Sequence, residues 1–222
     1  MFWIGLTLLG IVVLVILLVL VTDGRYFGKG LMLFVYDHVG PKVFGAHRES
    51  GTWHRLIDKL DLRGDERVLD VGTAVGDLPL TLASMPSFRG QVVGVDWSQR
   101  MVTTASEEAK QRGLERRVAF QVADLRQGLP CGDGEFDVVI CLGLLETLPS
   151  PERALQELRR VLMPDGTMVL SLYSSGLWSK VSALSLAWYE KHLAALGLER
   201  VETVPCRRSQ DAVIAWPRKP AH

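Results

Sequence analysis

Three acidic residues stand at or near the ends of successive short apolar runs. Asp70 lies in Val68-Leu69-Asp70-Val71, ahead of the turn Gly72-Thr73-Ala74-Val75-Gly76-Asp77. Asp96 closes Val92-Val93-Gly94-Val95, and Asp124 follows Val122-Ala123. At the carboxyl end of a strand, Asp96 can accept both hydrogen bonds of a ribose diol, or it can cap the helix that begins near Ser98. Asp124 can bond an exocyclic amine or stand as a solvated loop acid. Small residues after Val71 let backbone approach a ligand closely, although such turns also serve packing or hold a dinucleotide. A fourth run ends at Cys141-Leu142-Gly143-Leu144, where Gly143 either admits close approach or turns the chain. One nucleoside-like ligand would use all three acids, so their shared placement carries more than any one of them.

Strand and helix patterns alternate around these residues. Strands are expected at Arg67–Val71, Gln91–Asp96, Val118–Val122, Phe136–Leu142 and Thr167–Tyr173, each a short β-branched or apolar run. A helix from Asp77 to Met85 tolerates Pro79 in its first turn. Another is capped by Ser98, shows Met101, Val102, Ala105 and Ala109 on one face, and stops at Gly113. Ser150-Pro151 opens a helix with Ala154, Leu155, Leu158, Val161 and Leu162 on one side, and Pro164-Asp165-Gly166 ends it in a turn. The tail reads as a helix from Leu177 to Leu196, then strands near Glu199–Val204 and Ala212–Trp216. Ahead of the first strand, Ser50 or Thr52 caps a helix through Leu60 with Trp53, Leu56, Ile57 and Leu60 on one face. Alternation of this kind implies an α/β, doubly wound sheet.

The chain has 222 residues, with Lys+Arg and Asp+Glu both 25, so neither a nucleic-acid-seeking field nor an acidic tail is present. Cys131, Cys141 and Cys206 are widely spaced and form no zinc pattern; no metal is expected. From Phe2 to Val21 no charge interrupts the apolar run, which at about 1.5 Å per residue crosses a hydrocarbon core of about 30 Å. A signal peptide would carry a basic lead and a small-x-small cleavage site, and a core helix would carry a polar stripe. Arg25, Lys29 and Lys42 follow the run and no side-chain charge precedes it, which places the body on the cytoplasmic side. Residues 1–22 are therefore expected to be a single transmembrane helix, 23–49 an interfacial segment and 50–222 the α/β domain.

With these motifs in order, the sequence resembles class I S-adenosylmethionine-dependent methyltransferases, especially the small-molecule group that includes the ubiquinone/menaquinone-biosynthesis type. VLDVGTAVGD, GVDWSQRMV, VADL, FDVVICLGLLETLP and ALQELRRVLMPDGTMVLSLY carry the likeness, from about Trp53 to the C-terminal strands. The resemblance implies a Rossmann-like, seven-stranded, mostly parallel sheet and S-adenosyl-L-methionine as cofactor. It places Asp70, Gly72, Thr73, Ala74 and Gly76 around the methionine part, Asp96 and Trp97 at the ribose segment, Asp124 and Leu125 at the adenine, and Cys141 and Gly143 between methionine and substrate. Ala74 and Asp165 stand where the family more often has glycine.

On the acceptor side, the juxtamembrane Tyr36-Asp37-His38 resembles a Tyr-Asp found near the start of many relatives. The apolar stretch Ser174 to Trp188 puts Leu177, Val181, Leu184 and Trp188 on one helical face, with Trp178 beside it, either as core packing or as a lid toward lipid. Candidate substrate residues are Tyr36, His38, Glu146, Tyr173 and Trp178. Each of His38, His47, His54, Glu146 and Tyr173 also fits a surface or packing role, and the histidines have no partner visible in the sequence, so no catalytic residue is assigned. Methyl transfer to a hydrophobic or membrane-associated acceptor (a lipid, a quinone precursor, an apolar thiol or phenol) is the expected activity. A nicotinamide-dependent oxidoreductase is the first alternative, but Gly72 and Gly76 with Ala74 depart from Gly-x-Gly-x-x-Gly, and Tyr189 is followed four residues later by Leu193 rather than lysine. A noncatalytic, membrane-anchored scaffold is the second.

Overall fold

The computed structural model describes residues 50–175, 182, 184–207 and 210–217, with the isolated positions 10, 13 and 14. The anchor expected over residues 1–22, the interfacial segment and Trp178 lie outside the described residues, save those three positions. Among the described residues no helix is long and apolar enough to cross a membrane.

Helix α1 (Ser50–Leu60) forms because Trp53, Leu56, Ile57 and Leu60 recur at helical spacing, and all four are buried. It leads into β1 (Arg67–Val71), whose last four residues are buried as in a strand covered on both faces. Then come α2 (Asp77–Ser84), β2 (Gln91–Asp96), α3 (Gln99–Gln111), β3 (Val118–Val122), β4 (Phe136–Cys141) and α4 (Pro151–Val161). Strand β5 (Leu162–Tyr173), α5 (Leu186–Ala195), β6 (Arg200–Arg207) and β7 (Gln210–Trp216) complete the domain. The seven strands lie in the order β3-β2-β1-β4-β5-β7-β6, with β7 antiparallel to both its neighbours and the other pairings parallel.

Two apolar layers cover the sheet. On one face Trp53, Leu56, Leu80, Leu82 and Phe88 pack on Val68, Val92 and Ile140. On the other Leu155, Leu158, Tyr189 and Leu193 pack on Leu69, Val139 and Leu170. Leu155 and Leu158 are almost wholly buried, so truncating either to alanine would cost about 2–5 kcal/mol.

Three expectations require correction. Pro164-Asp165-Gly166 does not separate a helix from a strand: β5 starts at Leu162, and these residues form an irregularity inside it. Phe136 pairs with Leu162 but Val138 pairs with Thr167, so the extra residues bulge from the ladder. Nor does one helix run from Leu177 to Leu196. Ser185, itself in extended backbone, accepts a hydrogen bond from the Trp188 backbone N–H and caps a helix that begins at Leu186; Leu184 lies before the helix. The helical face shared by Leu184 and Trp188 is therefore absent. Strand β4 also stops one residue earlier than expected, at Cys141.

Candidate functional site

The parallel strand order reverses between β1 and β4, and in an open α/β sheet ligands sit beyond the carboxyl ends at such a point. There the turn after β1 folds onto the end of β2, with the N–H groups of Gly72 and Thr73 both donating to the Val95 carbonyl (2.8 and 3.0 Å). Gly72 (φ 81°) and Gly76 (φ 78°) take left-handed conformations, and a Cβ on Gly76 would stand 2.6 Å from the Phe120 ring. The Gly76 N–H closes the turn on the Thr73 carbonyl at 2.9 Å. A Cβ on Gly72 would press on Leu144 at 3.2 Å, so the turns after β1 and β4 lie side by side.

Ala74 also has positive φ (49°), a conformation that costs an L-residue about 1–2 kcal/mol. The departure from glycine is thus a backbone strain, whatever its methyl meets. Replacing Ala74 by glycine removes that strain and gives back about 0.4–1 kcal/mol through the unfolded chain. A net gain of about 0.5–1 kcal/mol is expected for Ala74→Gly. An upward shift of the denaturant midpoint checks it; a lower midpoint would mean the methyl makes packing worth more than the strain.

Asp96 is 8% exposed and held from two sides. Its Oδ2 accepts the Ala74 N–H and its Oδ1 the Ser98 N–H, both at 2.9 Å. Ser98 in turn caps α3, its hydroxyl accepting from the Met101 N–H at 3.2 Å. Asp96 therefore locks the first turn to the second strand's end, and the helix cap falls to Ser98. Trp97 is half-buried, with the Arg126 guanidinium 4.6 Å above its ring. Asp124 caps a short 3-10 turn, Leu125–Gln127, and pairs with Arg126 through Nε–Oδ1 at 2.8 Å and Nη2–Oδ2 at 3.0 Å. Leu125 is buried in the core.

Beyond β4, the Gly143 N–H donates to the Ser171 hydroxyl at 2.7 Å, and that hydroxyl donates to Glu146 Oε1 at 2.6 Å. The Tyr189 hydroxyl donates to the Ser171 carbonyl at 2.8 Å. Burial pushes the Glu146 carboxyl up to about 7, while its bond from Ser171 pulls it back. Burial likewise pushes the Cys141 thiol well up, with Glu146 and Asp70 adding in the same sense. Cys141 is wholly enclosed and packs in the core beneath the turn. Asp70 is 5% exposed.

Thr73 is buried under the first turn, its hydroxyl 2.9 Å from where a Cβ on Gly94 would stand, so its side chain faces β2. Tyr173 is half-buried at the end of β5, paired across the ladder with Gln210. His54 is exposed on α1, a helix that packs on α2 and β6. Tyr36, His38 and His47 lie outside the described residues, with Trp178. The sequence reading missed Ser171, Gln210 and Arg126. Ser171 had a signal, being a hydroxyl inside the apolar run Val169-Leu170-Ser171-Leu172, where a buried polar group needs a partner. Gln210, buried with its amide nitrogen 3.6 Å from where a Cβ on Gly143 would stand, had none.

These groups fit a nucleoside cofactor. Asp96 brings a buried carboxylate to the carboxyl end of β2 beside the first turn, and a carboxylate is the acceptor that a ribose diol's two hydroxyls call for. Glycines at the two adjoining turns let the turns pack closely, Gly72 against Leu144 and Gly76 against Phe120. Fold and site together define the class of S-adenosylmethionine-dependent methyltransferases, with S-adenosyl-L-methionine as the donor. The family profile described as "Methyltransferase domain" matches residues 62–204, and the chain belongs to that family.

Among curated relatives, the chain is 29% identical over 172 residues to the ubiquinone/menaquinone biosynthesis C-methyltransferase UbiE of Geotalea uraniireducens (strain Rf4), spanning 73% of this chain and 72% of that one. It is 30% identical over 131 residues to the demethylmenaquinone methyltransferase of Lactobacillus johnsonii (strain CNCM I-12250 / La1 / NCC 533), spanning 59% and 53%. The match thus covers from about half to nearly three quarters of these relatives' lengths. A solved SAM-dependent methyltransferase from Aquifex aeolicus superposes with a TM-score of 0.63 at 24% identity, over 73% of this chain and 88% of that one, a likeness of fold. Neither the oxidoreductase nor the scaffold alternative is supported by these likenesses.

Proposed function

We propose that the chain methylates an apolar acceptor taken from a membrane, a quinone precursor or a lipid-like molecule, with residues 2–21 as its single-pass anchor and residues 50–222 as a cytoplasmic catalytic domain. The observation that carries this reading is the uncharged run from Phe2 to Val21 joined to a methyltransferase domain. Two curated relatives whose names refer to quinone methylation support the acceptor class. Tethering confines the domain beside the bilayer and raises its effective concentration against a membrane-dissolved acceptor.

When bound, the cofactor supplies a methyl group on a sulfonium, an activated leaving group. The chain's part is then to bind, orient and exclude water. In this reading Asp96 holds the ribose hydroxyls, Asp124 and Leu125 meet the adenine, and Asp70 with the turn Gly72–Gly76 borders the methionine part. Gly143, tied through Ser171 to Glu146, sets the wall between donor and acceptor. Glu146 is thus a positioning residue; no side chain is assigned the role of base.

Incubating the full chain with methyl-labelled cofactor and a total membrane extract tests the acceptor. Label should enter the solvent-extractable quinone or lipid fraction; label found only in protein or in water-soluble molecules would overturn the reading. Cell fractionation tests the anchor. The full chain should sediment with membranes and a chain lacking residues 1–22 should not; a soluble full-length protein refutes it.

A further inference from the structure

We infer that Arg126 is an intramolecular latch on the adenine subsite, occupying both the face of Trp97 and the carboxylate of Asp124 until the cofactor's base displaces it. The inference rests on the proposed placement of the adenine at the ends of β2 and β3. Its observations are independent of that placement.

Asp124 is fully subscribed. Its Oδ1 accepts the Arg126 backbone N–H at 3.1 Å and Arg126 Nε at 2.8 Å; its Oδ2 accepts Arg126 Nη2 at 3.0 Å and the Gln127 side-chain amide at 3.1 Å. An ionised carboxylate offers about four acceptor sites, so four donors leave it no capacity for an exocyclic amine. The backbone donor is part of the 3-10 turn that Asp124 caps, and it stays while the turn stays. The two guanidinium bonds depend only on side-chain rotation.

The same guanidinium also lies 4.6 Å from the centre of the Trp97 ring. Cations and flat heterocycles compete for such a face, because both are drawn to the same π-surface. Arg126 therefore satisfies at once the two contacts that an adenine would make at this end of the sheet, one by stacking and one by hydrogen bonding.

Its own side chain is 34% exposed and that of Asp124 is 14% exposed, so the guanidinium can swing toward solvent while the carboxylate stays largely enclosed. An ion pair whose cation still meets solvent, and a cation–π contact made by that same partly exposed guanidinium, are each modest. The latch is hence strong enough to tax binding and weak enough to yield. Adenine binding exchanges those two contacts for its own, and product release is helped when Arg126 returns.

The test uses the full chain and its Arg126→Ala and Arg126→Lys variants, titrated calorimetrically with S-adenosylhomocysteine, the unreactive demethylated cofactor. Arg126→Ala should bind about 3- to 10-fold more tightly, the size expected from losing one weak ion pair and one cation–π contact as competitors. Arg126→Lys keeps the charge but not the planar fork, and should fall between. Raising salt from about 0.05 M to about 0.5 M screens the pair, so wild-type affinity should move toward that of Arg126→Ala, which itself should not tighten. Equal or weaker binding by Arg126→Ala at low salt would overturn the latch and leave the cofactor reading standing. Failure of all three proteins to bind would sink the cofactor reading and the latch with it.

Discussion

Asp96→Ala is expected to weaken S-adenosylhomocysteine binding by about 100-fold or more while the chain still folds. The two hydroxyls of a ribose diol would each donate a charge-assisted bond to this carboxylate, and such bonds contribute about 1.5–3 kcal/mol apiece when their partner is ionised. Losing both is worth at least about 3 kcal/mol, and each 1.4 kcal/mol is tenfold in affinity. The variant also removes the acceptor of the Ala74 and Ser98 N–H groups, which join the first turn to β2. Stripping a buried donor of its partner costs about 1–3 kcal/mol, so a loss of about 2 kcal/mol in stability should accompany the change.

The core around Val68, Val92 and Ile140 is built from apolar side chains that the substitution leaves in place, and should keep the fold. Asp96→Asn separates the two losses: one amide oxygen still receives a backbone donor, while the NH2 faces the other. Calorimetry gives the affinity and a denaturant melt the stability. Unchanged affinity with lowered stability would leave Asp96 only as the strut between β1 and β2.

Why Asp96 was visible in the sequence while Ser171 and Arg126 were not follows from what sequence patterns encode. Period and punctuation are local: the stripe Trp53, Leu56, Ile57, Leu60 marks α1, the run ending at Asp96 marks β2, and Ser98 marks a cap, all within a few residues of their effects. The bond from Ser171 to Glu146 joins residues 25 positions apart, and only the packing of β5 beside β4 brings them together. Arg126 is a neighbour of Asp124 in sequence, but its hold on Trp97 exists only because β2 and β3 are adjacent.

Two of the errors in element boundaries have a similar origin. Leu177 to Leu196 offers apolar residues at helical spacing, and spacing alone does not register that Ser185 supplies a hydroxyl to the Trp188 N–H and so starts the helix at Leu186. Pro164-Asp165-Gly166 has turn chemistry and does break the regular ladder. It does so as a bulge, because Leu162 is already paired with Phe136 before the proline is reached.

Glu146→Gln is expected to flatten the pH dependence of stability and to make the protein more stable than wild type at alkaline pH. Burial raises the Glu146 carboxyl from its ordinary 4.5 to about 7, so between those values the folded chain binds a proton that the unfolded chain has released. The resulting stability is fully present below about 4.5 and is lost as pH rises through about 7. A displacement of that size corresponds to about 3 kcal/mol. Glutamine cannot ionise, and its carbonyl can still accept from Ser171, so the contact between the turn after β4 and β5 is kept.

Among the described residues the buried oxygen Oε2 has no hydrogen-bond partner, which makes ionisation costly there and an uncharged isostere the better occupant above pH 7. Urea midpoints at pH 5 and pH 8 check this. Wild type should lose up to about 3 kcal/mol between them and Glu146→Gln little. Parallel losses in the two proteins would place the titration elsewhere. If Glu146 only positions the turn, methyl transfer by Glu146→Gln should persist with its pH profile unaltered near 7; loss of turnover with stability retained would instead make this carboxyl a proton acceptor for the substrate.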